Sequence, residues 1–308
     1  AAMIPELRKQ IVSAATDGGQ AIGKALGRKL GGTVGEKIGM RLGLAGGAAR
    51  AAEAGEEFCF AVVADPHCAE GPRKGMEALG TGADRFLRCV EAMKTLPAAE
   101  QPDFVLVLGD LHADAFLPLL KEVPYPVHVT FGNHESTPVQ RRALRGAFPG
   151  DFTVNGEPSD YYSFTHKGAR FISLCDAGLG GEHIGTLCSE NIRPRGQCEW
   201  LEAELSAPEP RKVLFAHIPV ERGGEDREMH LNRNDSRWMN ALLREKGPDA
   251  AFFGHLHTPT EEYSNGKSHV WQVRSCCWNG GNAPVGFLLA RLTPGGVSCR
   301  EILTGRAS

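Results

Sequence analysis

Five short apolar runs in this chain each end in a carboxylate, amide or imidazole. They are FCFAVVADPH (Phe58 to His67), FVLVLGD (Phe104 to Asp110), VHVTFGNHE (Val127 to Glu135), VLFAH (Val213 to His217) and AAFFGHLH (Ala250 to His257). Runs of this length, rich in Val, Phe and Leu and emptying into Gly, Asp, Asn or His, read as buried strands followed by polar loops. In open α/β sheets the ligand crevice lies outside the carboxyl ends of the strands, so five such ends point to one common site. Between the runs lie helical stretches, and the alternation predicts a layered α/β domain from Glu57 onward.

The expected helices are Asp84 to Lys94, Ala113 to Lys121, Gln197 to Leu205 and Asp235 to Arg244. YYSFTHKGARFISLCD (Tyr161 to Asp176) reads as a hairpin turning at Lys167 and Gly168. SHVWQVRSC (Ser268 to Cys276), GFLLARL (Gly286 to Leu292) and VSCREIL (Val297 to Leu303) read as antiparallel strands. One mixed sheet, or two stacked sheets with helices outside, accommodates these elements. The glycine-rich stretch Gly178 to Gly196 is long enough to form a rim or lid.

At 308 residues with 42% apolar content the chain can bury a full core and still carry an appendage. A net charge of -3 gives no overall pull toward nucleic acid. Nine cysteines form no C-x-x-C pair, and their placement in apolar runs predicts a mostly reduced set, with a bridge in the 175 to 198 region as the exception if the protein is exported. No run reaches the roughly 18 apolar residues of a spanning helix. Localisation stays open between cytoplasm and export.

Residues 1–56 differ in kind. Glycine recurs every fourth position from Gly19 to Gly47, mostly preceded by a branched aliphatic such as Ile22, Leu26, Val34 or Ile38. On a helix this would make a smooth groove beside an aliphatic ridge, stable only when another surface approaches closely. Lys24, Arg28, Lys29, Lys37 and Arg41 add a basic face suited to an anionic membrane. Self-association or membrane-surface contact through residues 19–47, a flexible tether, and packing onto the α/β domain are the three readings. The expected division is thus a glycine-repeat extension (1–56) and an α/β domain (57–308).

The ordered motifs D-x-H (Asp65, His67), G-D (Gly109, Asp110), G-N-H-E (Gly132 to Glu135), a later single His217 and G-H-x-H (Gly254 to His257) resemble the calcineurin-like metallophosphoesterases. That resemblance implies a sandwich of two mixed sheets flanked by helices and a binuclear metal centre. It implies that Asp65, His67 and His257 hold one metal, that Asn133, His217 and His255 hold the other, and that Asp110 bridges them. His134 is then no ligand but faces the substrate as the catalytic residue, placed either to protonate the leaving oxygen or to stabilise the developing charge. Two carboxylates against four positive charges leave such a centre cationic, which suits an anionic phosphate ester, and four imidazoles favour Mn, Fe, Zn or Co over Mg or Ca.

Departures within the family narrow the reading. Ala113 stands where purple acid phosphatases carry Tyr, and GDLHAD lacks the Arg of the Ser/Thr protein phosphatase motif. YYSFTHKGARFISL and RGQCEWLEAEL are more similar to phosphodiesterases acting on nucleotides and small diesters. Small phosphodiesters are the expected substrates, with phosphomonoesters as the alternative. A non-catalytic scaffold is disfavoured because every ligand of the pattern is present. His112 is read equally as a substrate contact or a solvated loop residue, and Glu135 as a support for its loop. Arg141, Arg142 and Arg145 are read as a solvated helix face in preference to a phosphate guide, and Cys276 and Cys277 as buried beneath the site.

Overall fold

The computed structural model describes residues 56–305. The glycine repeat, and with it the association and membrane readings, lies outside the described residues. Two sheets make the frame. In the first, β1 (Phe58–Val63), β2 (Pro102–Val107) and β3 (Val127–Val129) run parallel, and the hairpin of β12 (Val285–Thr293) and β13 (Gly296–Gly305) adds antiparallel to β1. In the second, β7 (Ala169–Ser173), β8 (Arg211–Phe215), β9 (Ala250–Phe253) and β11 (Ser268–Gln272) run parallel, with β6 (Tyr162–His166) and β10 (Glu261–Asn265) as antiparallel edges. A two-stranded pair, β4 (Thr153–Val154) and β5 (Glu157–Pro158), lies apart. Every residue of β1 and β9 is buried, as expected of strands covered on both faces.

The sheets meet through aromatic side chains. Phe60 on β1 lies 5.3 Å from Phe171 on β7 and 6.0 Å from Phe252 on β9, and Phe104 on β2 lies 5.0 Å from Phe171, all edge to face. A second apolar layer on the other face of sheet two joins Ile172, Leu214, Phe253 and Val270 to Leu201, Leu205, Met239 and Leu243. The last four belong to α4 (Gln197–Leu205) and α5 (Arg233–Lys246). On the far side α1 (Gly82–Lys94) packs against β12 and β13 with Phe86, Cys89, Val90 and Met93 inward. The layering is helix, sheet, sheet, helix.

Two helices differ from expectation. The predicted Ala113 to Lys121 helix is one α turn, α2 (Ala113–Phe116), tightening into a 3-10 segment from Leu117 to Glu122, because Pro118 lacks an N–H and its ring crowds the preceding turn. A further helix, α3 (Pro138–Ala147), follows the G-N-H-E loop and is started by a capping box between Thr137 and Gln140. The solvated-face reading fails for Arg141, which is 2% exposed, and holds for Arg142. The helix turns Arg141 inward, where its guanidinium donates to the carbonyls of Glu135, Ala177 and Gly178 at 2.9, 2.7 and 3.1 Å.

SHVWQVRSC is also corrected: β11 is antiparallel to β10 but parallel to β9. The hairpin at Lys167 and Gly168 is present, with both residues at positive φ as a two-residue turn of that hand requires. Cys276 and Cys277 are fully buried, and Cys188 and Cys198 bring their sulfurs within 3.2 Å.

Candidate metal centre

The five polar strand ends come from both sheets: those after β1, β2 and β3 from the first, and those after β8 and β9 from the second. Asp65, His67, Asp110, His112, His255 and His257 all sit at positive φ, between 40° and 75°. Left-handed backbone is rare for non-glycine residues, costs energy at each, and clusters at functional sites. Glycine opens the space these turns need. A Cβ on Gly109, itself at φ 80°, would stand 2.6 Å from Gly132 N, and one on Gly132 would stand 2.2 Å from Asp110 Oδ1.

Three groups of donor atoms result, each with its atoms within 4.8 Å of one another: Asp65, His67, Asp110 and His257; Asp110, His217 and His255; and, toward the rim, His67, His112 and His134. The first two share Asp110. Its Oδ2 lies 3.5 Å from His67 Nε2 and 3.3 Å from His217 Nε2. Asn133 Oδ1 joins the second group, 3.1 Å from His217 Nε2. Asp65 accepts the His255 backbone N–H at 2.9 and 3.0 Å, which ties the first strand end to the last.

Backbone carbonyls orient the imidazoles. His217 Nδ1 lies 2.6 Å from the Leu108 carbonyl, His257 Nδ1 lies 2.7 Å from the Trp278 carbonyl, and His255 Nε2 lies 3.2 Å from the His183 carbonyl. In His255 and His257 the nitrogen facing a carbonyl carries the proton, so the other ring nitrogen turns a lone pair toward the cluster. Burial lowers the imidazole pKa values of His67 to about 3, His255 to about 2 and His257 to about 4, which keeps these rings neutral. For His217 burial acts the same way, but Asp110, Asp65 and Asp176 outweigh it and raise the ring to about 10. Asp65 and Asp110 are buried and, among the described residues, ion-paired only with histidines. Buried carboxylates without Lys or Arg, facing the neutral imidazoles of His67, His255 and His257 and the carboxylate-paired ring of His217, form a donor set that suits divalent transition metals.

The remaining candidates separate by geometry. His134 is 41% exposed, with Nε2 4.0 Å from Asp110 Oδ2, and its backbone N–H donates to Asp110 Oδ1 at 3.0 Å. His112 Nε2 stands 3.3 Å from His67 Nδ1, and its ring centroid is 5.1 Å from that of His134, so it borders the cluster instead of facing away into solvent. Glu135 is fully buried and accepts the N–H groups of Asp110, Leu111, His112 and Gly132 at 2.9 to 3.1 Å. It clamps the G-D loop to the G-N-H-E loop. Arg141 does not reach the cluster; it holds the Glu135 carbonyl and the start of the 178–196 loop.

Sequence reading missed Asp176 and Trp278. Asp176 ends β7's run and accepts the N–H groups of His217 and Ile218 at 3.3 and 2.8 Å; burial raises its carboxyl to about 7 despite those bonds. Its signal, a carboxylate closing an apolar run, is the one Asp65 and Asp110 carry. Trp278 stacks on His257 with centroids 3.8 Å apart, a contact with no local sequence signal.

The fold finds counterparts in known proteins. A dimetal phosphatase from Danio rerio has the same fold, with a TM-score of 0.58 at 18% identity over 81% of this chain and 97% of that one. Human sphingomyelin phosphodiesterase is 29% identical over 158 residues, 44% of this chain and 24% of its own length. A protein of Rhodopseudomonas palustris named as a probable cyclic nucleotide phosphodiesterase is 28% identical over 176 residues, 52% of this chain and 59% of its own length. The chain thus spans a quarter to somewhat over half of the curated relatives it matches. The model of the calcineurin-like phosphoesterases matches residues 59–259, from the first residues of β1 to just past the last histidine loop, and the chain belongs to that family.

Proposed function

We propose that this protein hydrolyses small phosphodiesters at a centre of two divalent transition metals. Asp65, His67 and His257 would hold one ion, Asn133, His217 and His255 the other, with Asp110 between them. The observation that carries the reading is the pair of donor groups sharing Asp110. When bound, two such ions supply Lewis acidity toward phosphoryl oxygens and lower the pKa of water. The protein's own residues do the rest. Asp65 and Asp110 contribute only two negative charges, so a phosphodiester anion is attracted and not repelled. His134 has its Nε2 at the mouth and its backbone anchored on Asp110, where it can protonate the departing oxygen. The carbonyls of Trp278 and His183 fix which nitrogen of His257 and His255 is free, and that of Leu108 holds His217 Nδ1.

The two relatives described above are phosphodiesterases by name, one of them a probable one, which favours diesters over monoesters. Metal analysis of chelator-free protein is expected to return a stoichiometry near two, and Mn²⁺ to support turnover of bis(p-nitrophenyl) phosphate. Asp110→Asn should reduce that turnover by about a thousandfold or more, because one group serves both ions. Full activity in this variant overturns the bridging role, and faster turnover of p-nitrophenyl phosphate than of the diester replaces the substrate class. The glycine repeat carries a separate expectation of self-association or membrane contact. Unchanged sedimentation and vesicle binding after deletion of residues 1–56 would remove it.

A further inference from the structure

On the His257 side of the centre, His257 and Arg73 both stack on Trp278. His257 lies against one face of the Trp278 indole, with centroids 3.8 Å apart and planes 19° from parallel. The Arg73 guanidinium lies over a Trp278 ring, its Cζ 4.0 Å from the centroid. The indole is pinned in two further ways: its Nε1–H donates to Glu70 Oε1 at 3.3 Å, and its own backbone carbonyl holds His257 Nδ1. Glu70 belongs to the same loop as Arg73 and reaches the His67 side of the cluster, with Oε1 3.8 Å from His67 Nδ1. The indole is already engaged by His257 and by Arg73. What it presents is a cation held in place by stacking. Arg73 makes no ion pair among the described residues, and it stays half-buried beside the exposed Lys74.

We infer that Arg73, positioned by Trp278, is a subsite for a second phosphate of the substrate, lying beyond the phosphodiester held at the metals. This rests on the proposed diesterase reading and narrows it to diesters whose substituent carries a further phosphate, such as phosphorylated nucleotides. A guanidinium presents a rigid fork of N–H donors that matches phosphate oxygens. Stacking leaves that fork's edge free while removing much of the side-chain entropy that an unanchored arginine would lose on binding.

The test uses two chromogenic diesters that differ by one phosphate: thymidine 5'-(p-nitrophenyl phosphate) and its 3'-phosphorylated form. The wild type is expected to show a kcat/KM about tenfold or more higher for the phosphorylated probe, carried by KM. Arg73→Gln should remove that preference while leaving kcat/KM for the plain probe within about twofold, and Trp278→Leu should weaken it because the guanidinium is no longer held. Arg73→Lys should restore part of it. Equal kcat/KM for the two probes in the wild type, or an Arg73→Gln loss that is the same for both, overturns the subsite. Calorimetric binding of thymidine 3',5'-bisphosphate against thymidine 5'-phosphate reads the same contact without turnover. If neither probe is cleaved the diesterase reading fails, while the subsite stands or falls on whether the bisphosphate binds more tightly and loses that advantage in Arg73→Gln.

Discussion

Glu135 shows how a side chain outside the proposed ligand set can decide whether the set exists. Its carboxylate accepts four backbone N–H groups, three from the G-D loop and one from its own. Burial, followed by the neighbouring Asp110, raises its carboxyl to about 7 against the pull of those bonds. Glu135→Gln keeps the shape but points an amide's own N–H groups at backbone donors. The expected outcome is a loss of about 2–4 kcal/mol in urea denaturation, together with weaker metal retention on dialysis. A variant as stable as the parent would show that the clamp contributes little. The motif G-N-H-E was legible in sequence, whereas this role was not, because the four donors are brought to one carboxylate only when β2 and β3 lie side by side.

Elements add a different kind of stability. At the far end of sheet two, Arg170 on β7 bonds Glu209, in the turn before β8, through two N–H groups at 2.9 and 2.8 Å. The Arg170 guanidinium holds the Glu209 carboxyl below its ordinary value of 4.5. A depressed folded pKa contributes stability that is fully present above the unfolded value and is lost as pH falls through the folded one. The stability gap between the parent and Glu209→Gln should therefore be present at about pH 7 and shrink as pH falls below the ordinary carboxyl value of 4.5 in denaturant titrations. A gap that persists in acid would assign it to packing. In the 178–196 segment, Cys188 is exposed and its sulfur is 3.2 Å from that of Cys198 on α4. Exchange with a small disulfide such as oxidised glutathione should link the two, each new bond releasing a thiol of the reagent. The loss of two hydrogens would appear in the mass of the unreduced peptide pair, and two free thiols after such treatment would exclude the bridge. The cysteine pattern alone named the region, and only the fold of the segment chose the pair.

At the scale of the whole molecule, the proposed centre sits on a seam. Asp65, His67, Asp110 and Asn133 leave sheet one, while His217, His255 and His257 leave sheet two, so its geometry depends on how the sheets pack. Phe60 is the contact that touches both β7 and β9 from β1. Phe60→Ala should cost about 3–5 kcal/mol in thermal or urea denaturation. It should also loosen metal retention, although Phe60 contributes no donor atom; retention unchanged at the lowered stability would show that the loops, and not the sheets, set the spacing. The strands other than β4, β5 and β10, the hairpin turn and the order of the polar strand ends could be read from the chain by itself, because periodicity, β-branching and glycine act over a few residues. Which sheet each strand joins, which carbonyl selects each imidazole's free nitrogen, the inward turn of Arg141 and the stack of Arg73 on Trp278 were decided by tertiary structure alone. Each of these brings together residues tens or hundreds of positions apart, and no local pattern encodes the packing that makes them neighbours.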